Sequence, residues 1–178
     1  TERIQAQFNY KIWRHILNSA GIERFPQYHF DMVRLGIGLH GISATHANLQ
    51  PVSSFKTYIS SIRNVPTAQS IGYGRKSYTT RPSRIAVIPV GYADGLNRHL
   101  SNRVGNVFIK GKRVPIIGNI CMDTCMIDVT DTNATIGDEV EIFGKHILVT
   151  ELSEQLGTIP YEILTGISHR VKRVYYKE

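Results

Sequence analysis

The spacing of apolar residues changes in character near the end of the first fifty residues. From Glu2 to about His15 apolar residues recur at helical intervals, which predicts an amphipathic helix. The stretches HILNSAGI and DMVRLGIGLHGI follow as short apolar strands that run into a polar turn and into glycines, with RFPQYHF between them as a loop or short helix. Helix and strand in alternation favour a parallel sheet covered on both faces.

Beyond this point the pattern is one of short strands. SFKTYISSIRNV alternates, RIAVIPVGYADG is apolar up to an Asp-Gly turn, and VFIKGKRVPIIG folds back around Lys110 and Gly111. Further strands are predicted in TCMIDVT, EVEIFG and HRVKRVYY. Helices are predicted only in ELSEQLGTIPYEILTGI, where one begins behind Thr150 as N-cap and ends at Gly157. The spacing of the turns is that of a sandwich or barrel, which predicts a mainly β domain.

A polar stretch separates the two patterns. SATHANLQPVSS is rich in Ser, Thr, Asn and Pro and predicts a linker. The predicted organisation is therefore a β/α segment over residues 1–45, a linker over 46–53 and a mainly β domain over 54–178. A segment as short as the first cannot close a sheet or bury its strands by itself.

Composition narrows the class of protein. The chain has 178 residues, 42% of them hydrophobic, and none of its apolar runs reaches the roughly 20 residues needed to span a bilayer. Residues 1–14 do not resemble a signal peptide, so the cytoplasm is the expected compartment. Cys121 and Cys125 supply neither a disulfide framework nor a convincing zinc site. Reduced thiols and no metal site are expected.

The net charge of +7 leaves two interpretations open. A positive field attracts nucleic acids and anionic metabolites alike. The basic residues are dispersed except for Arg170, Lys172 and Arg173, and they are not interleaved with aromatic residues as in single-strand binders. A solvated basic surface is the favoured explanation over a nucleic-acid site.

Several residues could carry chemistry, and each also has a purely structural explanation. Tyr73, between Gly72 and Gly74, could mark a strand end where glycines relieve a bulge. The GYADG stretch with Tyr92 could be a hairpin turn, and GNICMD a buried strand. The NS pair ending in Ser19 could satisfy a turn, and Arg34 could form a surface ion pair.

In this order, however, the stretches resemble one family, the pyridoxal-phosphate-dependent alanine racemases. The resemblance covers nearly the whole chain from Ile12 onward. It is carried by HILNSAGI, FDMVRLGIGLHGI, SIGYGRKSYTT, VIPVGYADGLNR, RVPIIGNICMDTCMIDV, IGDEVEIFG and GTIPYEILTGISHRVKRVY. Family members join an N-terminal (β/α)8 barrel, which holds the cofactor, to a C-terminal β domain. The resemblance implies the last two β/α units of that barrel followed by the β-barrel or sandwich domain.

The resemblance assigns a cofactor site to the first segment. It implies that the hydroxyl of Ser19 and the main-chain N–H groups of Gly36 and Ile37 bind the phosphate of pyridoxal phosphate, in the loops after the last two barrel strands. Arg34 would donate to the pyridine nitrogen. Because an arginine does not release its proton, that nitrogen would stay unprotonated and the ring would be a weaker electron sink.

The resemblance assigns the acid/base and substrate groups to the β domain. Racemisation requires two acid/base groups on opposite faces of a planar intermediate. The resemblance implies that Tyr73 is one of them, that the main-chain N–H of Met122 holds the substrate carboxylate, and that Tyr92 lines the entrance. Arg98 and Asp123, next to these positions, would shape the entrance or have structural roles.

Two departures from the family limit the resemblance. The lysine that binds the cofactor covalently, in a lysine-alanine-asparagine-alanine-tyrosine stretch, is absent, as are the first six barrel strands. The chain is therefore expected to be the C-terminal part of a racemase and to be inactive alone. His169 stands where relatives carry a tyrosine that contacts the cofactor phosphate, and a histidine can also donate there.

The implied function is interconversion of L- and D-alanine by two bases, supplying D-alanine for peptidoglycan. The implied assembly is a homodimer whose site is shared between subunits, with no nucleic-acid or membrane partner. Two alternatives stay open, namely racemisation of another amino acid such as serine or lysine, and a non-catalytic basic β-barrel binding module.

Overall fold

The computed structural model describes residues 2–45 and 48–176. The chain divides into two compact units, Thr1–Ser53 and Ser54–Glu178. Within the predicted linker, residues 46–47 lie outside the described residues, and residues 48–53 form neither helix nor strand. In the described part of the chain, each helix is too short to cross a bilayer.

The first unit contains one parallel strand contact and short helices. His15 and Met32 form a parallel bridge, and the N–H of Arg34 donates to the carbonyl of Leu17 at 2.8 Å. The two predicted strands are therefore parallel neighbours, joined through a helix. The helices are α1 (Glu2–Gln5) and α2 (Ser19–Arg24), with 3-10 helices at Pro26–Tyr28 and Ile37–His40.

The predicted amphipathic helix from Glu2 to His15 is wrong in length, because α1 ends at Gln5. The Gln5 side chain instead closes a turn, donating to the Tyr10 carbonyl at 2.9 Å and accepting from the Ile12 N–H at 3.0 Å. A short amphipathic helix is stable when its apolar face packs on another surface. Here Ile4 stays exposed, so the apolar spacing lacks the packing that would extend the helix.

The prediction of two buried strands in this unit is also wrong in extent. The pairing is reduced to the single bridge, and Met32 remains 47% exposed, although Leu17 is buried. Parallel strands become buried when neighbouring strands and helices cover both faces. Two strands alone leave those faces open, so the apolar pattern describes a larger sheet than this unit forms.

The second unit confirms the prediction of a mainly β fold. Seven strands form one antiparallel sheet in the order β1-β9-β6-β7-β8-β5-β2, and β3 and β4 form a separate hairpin. The strands are β1 (Phe55–Tyr58), β2 (Ser61–Val65), β3 (Ser70–Ile71), β4 (Ser77–Tyr78), β5 (Ser83–Ile88), β6 (Asn106–Ile109), β7 (Lys112–Ile117), β8 (Cys125–Asp128) and β9 (Glu139–Phe143).

The sheet curls because of how its edges are connected. Strands β1 and β2 are its two edges, yet only Ile59 and Ser60 separate them along the chain. Three residue steps span at most about 11 Å, so the two edges must meet at that point. The curl encloses a core of aliphatic residues with Ile59, Ile88, Ile116 and Ile127 fully buried.

Local predictions in this unit have mixed outcomes. The turn at Lys110 and Gly111 between β6 and β7 is confirmed, and both residues have positive φ. Helix α3 (Val149–Leu156) ends at Gly157 as predicted, but its N-cap is Leu148 rather than Thr150. Helix α4 is Pro160–Thr165.

The strand predicted in HRVKRVYY does not form. Residues 171–176 are irregular, and the Arg173 guanidinium donates to the Ile167 carbonyl at 3.0 Å and to the Ser168 carbonyl at 3.2 Å. These bonds bend the segment back on itself, so it does not present an extended edge to the sheet.

A buried carboxylate secures the turn after β9, and its removal should destabilise the fold. Glu141 is 6% exposed and accepts from the N–H groups of His146 (2.7 Å) and Ile147 (3.2 Å). Burial alone would raise the pKa of Glu141, but hydrogen bonds from His146 and Ile147 outweigh it and hold the pKa below its ordinary value. We expect Glu141→Gln to lower the free energy of unfolding at pH 7 by about 1–3 kcal/mol.

The sign of the pH dependence follows from the lowered pKa. The carboxylate stabilises the fold fully above the ordinary glutamate pKa of 4.5, and this contribution is lost as pH falls through the lowered pKa of Glu141. Urea unfolding at a series of pH values should show wild type and Glu141→Gln converging in acid. A constant difference across that range would contradict the assignment.

Candidate functional site

Tyr73 lies at the tip of the β3–β4 hairpin and points away from the core. Its side chain is 77% exposed, at the start of a 3-10 helix spanning Tyr73–Arg75. Gly72 precedes it with φ of +74°, and a Cβ there would lie 2.8 Å from Cε of Met126. Only glycine suits both the backbone conformation and this close packing. The glycine therefore turns the chain sharply out of β3, and the phenol projects beyond the strand end.

Tyr92 is positioned by close backbone packing. It begins the 3-10 helix Tyr92–Asp94, and its N–H donates to the Cys121 carbonyl at 3.0 Å. The next N–H, of Ala93, donates to the Met122 carbonyl, also at 3.0 Å. A Cβ on Gly91 would lie 2.3 Å from both carbonyl oxygens, so these two backbone segments meet where one lacks a side chain. The Tyr92 side chain is exposed.

Met122 lies in a turn that leaves its main-chain N–H accessible. The N–H of Cys121 donates to the Thr124 carbonyl at 2.9 Å, which closes the turn. Met122 is 51% exposed, and its own N–H has no acceptor among the described residues. An exposed N–H without a protein partner can donate to an anionic oxygen of a ligand.

One segment, residues 118–124, connects these three positions. A Cβ on Gly118 would lie 2.8 Å from the Ile71 carbonyl oxygen, next to Tyr73. The Asn119 side chain donates to the Tyr73 carbonyl at 2.7 Å, and Cys121 and Met122 accept from the Tyr92 helix. The structure thus connects the predicted residues Tyr73, Tyr92 and Met122, all three exposed, through one short segment of the second unit.

Arg170 also secures this part of the second unit, and sequence reasoning missed it. Its guanidinium donates from Nε to Asp94 and from Nη2 to Asp123, each at 2.7 Å. Asp94 Oδ2 in turn accepts from the Gly91 N–H at 2.9 Å. Arg170 therefore joins the Tyr92 helix to the Met122 turn. The partners lie 76 and 47 residues away along the chain, and no local pattern signals such contacts.

Two other predicted residues of this unit have less defined surroundings. Arg98 lies in the 3-10 helix Arg98–Leu100, and its guanidinium has no partner within residues 2–45 and 48–176. His169 is exposed beside Arg170, and its ring likewise contacts no hydrogen-bonding group of the described chain.

The predicted phosphate-binding residues converge in the first unit. Ser19 is buried, and its Oγ accepts from the N–H groups of Gly36 (3.0 Å) and Gly38 (3.1 Å). Ile37 lies between these two glycines in the same loop. A Cβ on Gly38 would lie 2.8 Å from Leu35 Cδ1 and 3.6 Å from Ser19 Oγ, so the loop packs closely here. The Ser19 hydroxyl keeps its own proton to donate.

Arg34 lies two residues before Gly36, and hydrogen bonds fix its position. Its Nη2 donates to the Ile16 carbonyl at 2.7 Å, and its main-chain N–H donates to the Leu17 carbonyl. The guanidinium has further N–H groups that can donate to a ligand. The Ser19 hydroxyl and the nearby guanidinium can donate to an anionic group, while the Gly36 and Gly38 N–H groups donate to Ser19 Oγ in this structure.

The two cysteine thiols lie within the fold, Cys125 buried and Cys121 half-buried. Both are free thiols, and burial raises the pKa of Cys125 to about 12, so it stays protonated at neutral pH. The Cys121 thiol donates to the Asn119 carbonyl at 3.6 Å.

Family models and individual relatives both show that this chain is similar to alanine racemases. Residues 52–175 match the alanine racemase C-terminal domain and residues 1–44 match the alanine racemase N-terminal domain. An alanine racemase 2 of Caldanaerobacter subterraneus subsp. tengcongensis is 47% identical over 172 residues, covering 91% of this chain and 44% of the relative. An alanine racemase of Methanococcus maripaludis is 44% identical over 173 residues, covering 91% of this chain and 46% of the relative.

A solved structure is also similar. The alanine racemase of Bartonella henselae with covalently bound pyridoxal phosphate superposes with a TM-score of 0.88 at 36% identity, covering 98% of this chain and 50% of that chain. The chain thus spans about half the length of the relatives it matches.

Proposed function

This chain belongs to the alanine racemase family, and on that basis we propose that the full-length protein containing it interconverts L- and D-alanine with pyridoxal phosphate as cofactor. One observation carries the proposal: residues 118–124 bond to the backbones of Tyr73 and Tyr92, both exposed, and include Met122, whose N–H has no acceptor among the described residues. A proton-transfer group beside a carboxylate-binding amide is what reversal of configuration at an amino-acid Cα requires.

Each of these residues has one task in the proposed reaction. The Tyr73 phenol removes or returns the hydrogen on one face of Cα, and a base contributed by another part of the protein serves the opposite face. The Met122 N–H donates to the substrate carboxylate, and the exposed ring of Tyr92 borders the path of the substrate. Arg170 holds the Tyr92 helix and the Met122 turn together through its bonds to Asp94 and Asp123.

The first unit fits the phosphate of the cofactor. Ser19, Gly36 and Ile37 would hold the phosphate through a hydroxyl and main-chain N–H groups, with the Gly36 N–H exchanging its bond to Ser19 Oγ for one to the phosphate. Arg34 would donate to the ring nitrogen. When bound, the cofactor withdraws electrons from the substrate Cα and makes its hydrogen removable.

The test is direct assay of the full-length protein with pyridoxal phosphate. We expect L-alanine to give D-alanine and the reverse, with both reactions reaching the same equal mixture. Serine and lysine, assayed in parallel, are expected to react more slowly, and faster reaction of either would make that amino acid the substrate. Absence of racemisation, together with nucleic-acid binding that weakens steeply with salt, would favour a basic binding module instead.

The proposal places the reaction in the cytoplasm, where D-alanine would serve peptidoglycan synthesis.

We further propose that the enzyme is a homodimer, with the Ser19 region of one subunit and Tyr73 of its partner in each site. Two inactive variants should then complement each other. Ser19→Asp repels the phosphate and Tyr73→Phe lacks the acid/base group, so each homodimer is inactive. A mixed dimer of the two would contain one intact site.

Co-expression of the two full-length variants measures this directly. Random pairing makes half of the dimers mixed, so we expect about a quarter of the wild-type racemase activity per subunit. If each site is built within one subunit, the mixture stays as inactive as the separate variants, and this result would refute the shared site.

A further inference from the structure

Three side-chain hydrogen bonds in series connect the two ends of the β3–β4 hairpin tip. Asn119 donates from Nδ2 to the Tyr73 carbonyl at 2.7 Å and accepts at Oδ1 from Asn102 Nδ2 at 3.0 Å. Asn102 Oδ1 in turn accepts from the hydroxyl of Ser77 at 2.7 Å. Ser77 belongs to β4 and Tyr73 follows β3, so two side-chain amides from outside the hairpin connect its ends.

The hairpin itself is too small to fix the direction of Tyr73. Each of its strands has two residues, and such short hairpins are marginal alone. Its buried contact is Ile71, which packs with Ile85 and Ile117. Beyond Ile71, Gly72, Gly74 and Arg75 all have positive φ, so the 3-10 turn at the tip is irregular. The orientation of the Tyr73 backbone therefore depends on the bonds it makes with other segments.

Asn119 is well placed to supply that orientation. It is 8% exposed, so loss of its hydrogen bonds leaves polar groups without water to replace them. It also lies three residues before Met122 in the segment that carries the substrate-binding N–H. One buried side chain thus sets the position of the phenol relative to the amide.

We propose that Asn119 is a positioning residue for racemisation, which aligns Tyr73 with the Met122 N–H through its bond to the Tyr73 carbonyl. This inference rests on the proposed function, because alignment matters only if Tyr73 transfers the hydrogen. Displacement of a reacting group by about 1 Å can cost on the order of 100-fold in rate.

The decisive variant is Asn119→Asp in the full-length protein. Aspartate has the same shape and still accepts from Asn102, but it presents an oxygen instead of a donor to the Tyr73 carbonyl. We expect kcat for alanine to fall by about 10- to 100-fold, while KM changes little because the Met122 N–H remains in place. Asn64→Asp, the same substitution at an exposed position of β2, should keep wild-type kcat and KM.

Hydrogen exchange separates positioning from general loss of stability. In Asn119→Asp the amides of residues 72–78 should exchange faster, while those of β5 and β8 keep their protection. Equal loss of protection throughout, or wild-type kcat, would overturn the inference. If Asn119→Asp does not fold, Ser77→Ala is the second variant, because it breaks the bond between Ser77 and Asn102 at the other end of the series. Wild-type kcat and hairpin protection in Ser77→Ala would overturn the inference as well.

The outcomes also distinguish the inference from the function beneath it. An active wild-type enzyme with an equally active Asn119→Asp variant refutes the role of Asn119 and leaves the racemase intact. An inactive wild-type enzyme refutes the proposed function and the role of Asn119 with it.

Discussion

In the full-length enzyme, Tyr73→Phe is expected to lower racemase kcat by about 10²–10⁴-fold in both directions, because each direction uses both acid/base groups. The change removes a single oxygen from a side chain that is 77% exposed, so it takes away the transferable proton and disturbs no packing. Gly72 and the bond from Asn119 to the Tyr73 carbonyl act on the main chain and persist in the variant. Chiral analysis of alanine after incubation from each enantiomer measures the loss.

Tyr78→Phe is the matched control for this experiment. Tyr78 lies in β4 of the same hairpin and is also exposed, but its hydroxyl makes no hydrogen bond with the described residues. We expect wild-type rates from it. Equal racemisation rates for wild type and Tyr73→Phe in both directions would remove Tyr73 from the mechanism. This conclusion would not depend on the rate of Tyr78→Phe.

The second large effect is expected from Gly91→Ala. The new methyl would lie 2.3 Å from the carbonyl oxygens of Cys121 and Met122, and main-chain atoms on both sides resist displacement. Separation of the segments would break the 3.0 Å bonds from the Tyr92 and Ala93 N–H groups and shift the Met122 turn. We expect kcat/KM to fall by about 100-fold, mainly through a higher KM, with a stability loss of about 1–3 kcal/mol.

Gly111→Ala provides the comparison. A Cβ on Gly111 has no atom within 4 Å, although its φ is +78°, so alanine there brings backbone strain without a clash. This variant should lose a comparable amount of stability, about 1–2 kcal/mol, and keep wild-type kcat/KM. A Gly91→Ala enzyme with unchanged KM would show that the close packing does not position the Met122 amide.

The second unit could be predicted well because its signals are local. Lys110 and Gly111 carry turn chemistry, Gly157 carries a helix end, and strands such as β5 are short apolar runs between turns. The curl at Ile59 and Ser60 was not predicted, because nothing in SFKTYISSIRNV indicates that its two strands are the opposite edges of one sheet. The N-cap was misplaced because Leu148 has no side-chain cap, so the helix begins without its usual signal.

The first unit could not be predicted in the same way. Its apolar spacing reflects strands and helices of a larger sheet, and without those neighbours Ile4 and Met32 stay exposed. The proposed site residues Tyr73, Tyr92 and Met122 rest on the resemblance to a family, since each pattern alone also fits a turn or strand. The supporting residues Asn119 and Arg170 act across 46 to 76 residues of sequence, a separation that no local pattern reveals.

The central claim is that the oxygen of Tyr73 exchanges hydrogen with one face of the substrate Cα. Incubation of the full-length enzyme in D₂O with each pure enantiomer of alanine tests it directly, with mass and chirality of the amino acid followed together. Wild type should place deuterium at Cα from either enantiomer, with inversion. Tyr73→Phe should exchange the Cα hydrogen of one enantiomer only. That alanine should carry deuterium at Cα and keep its original configuration. Deuterium incorporation with inversion from both enantiomers at the wild-type rate would contradict the account.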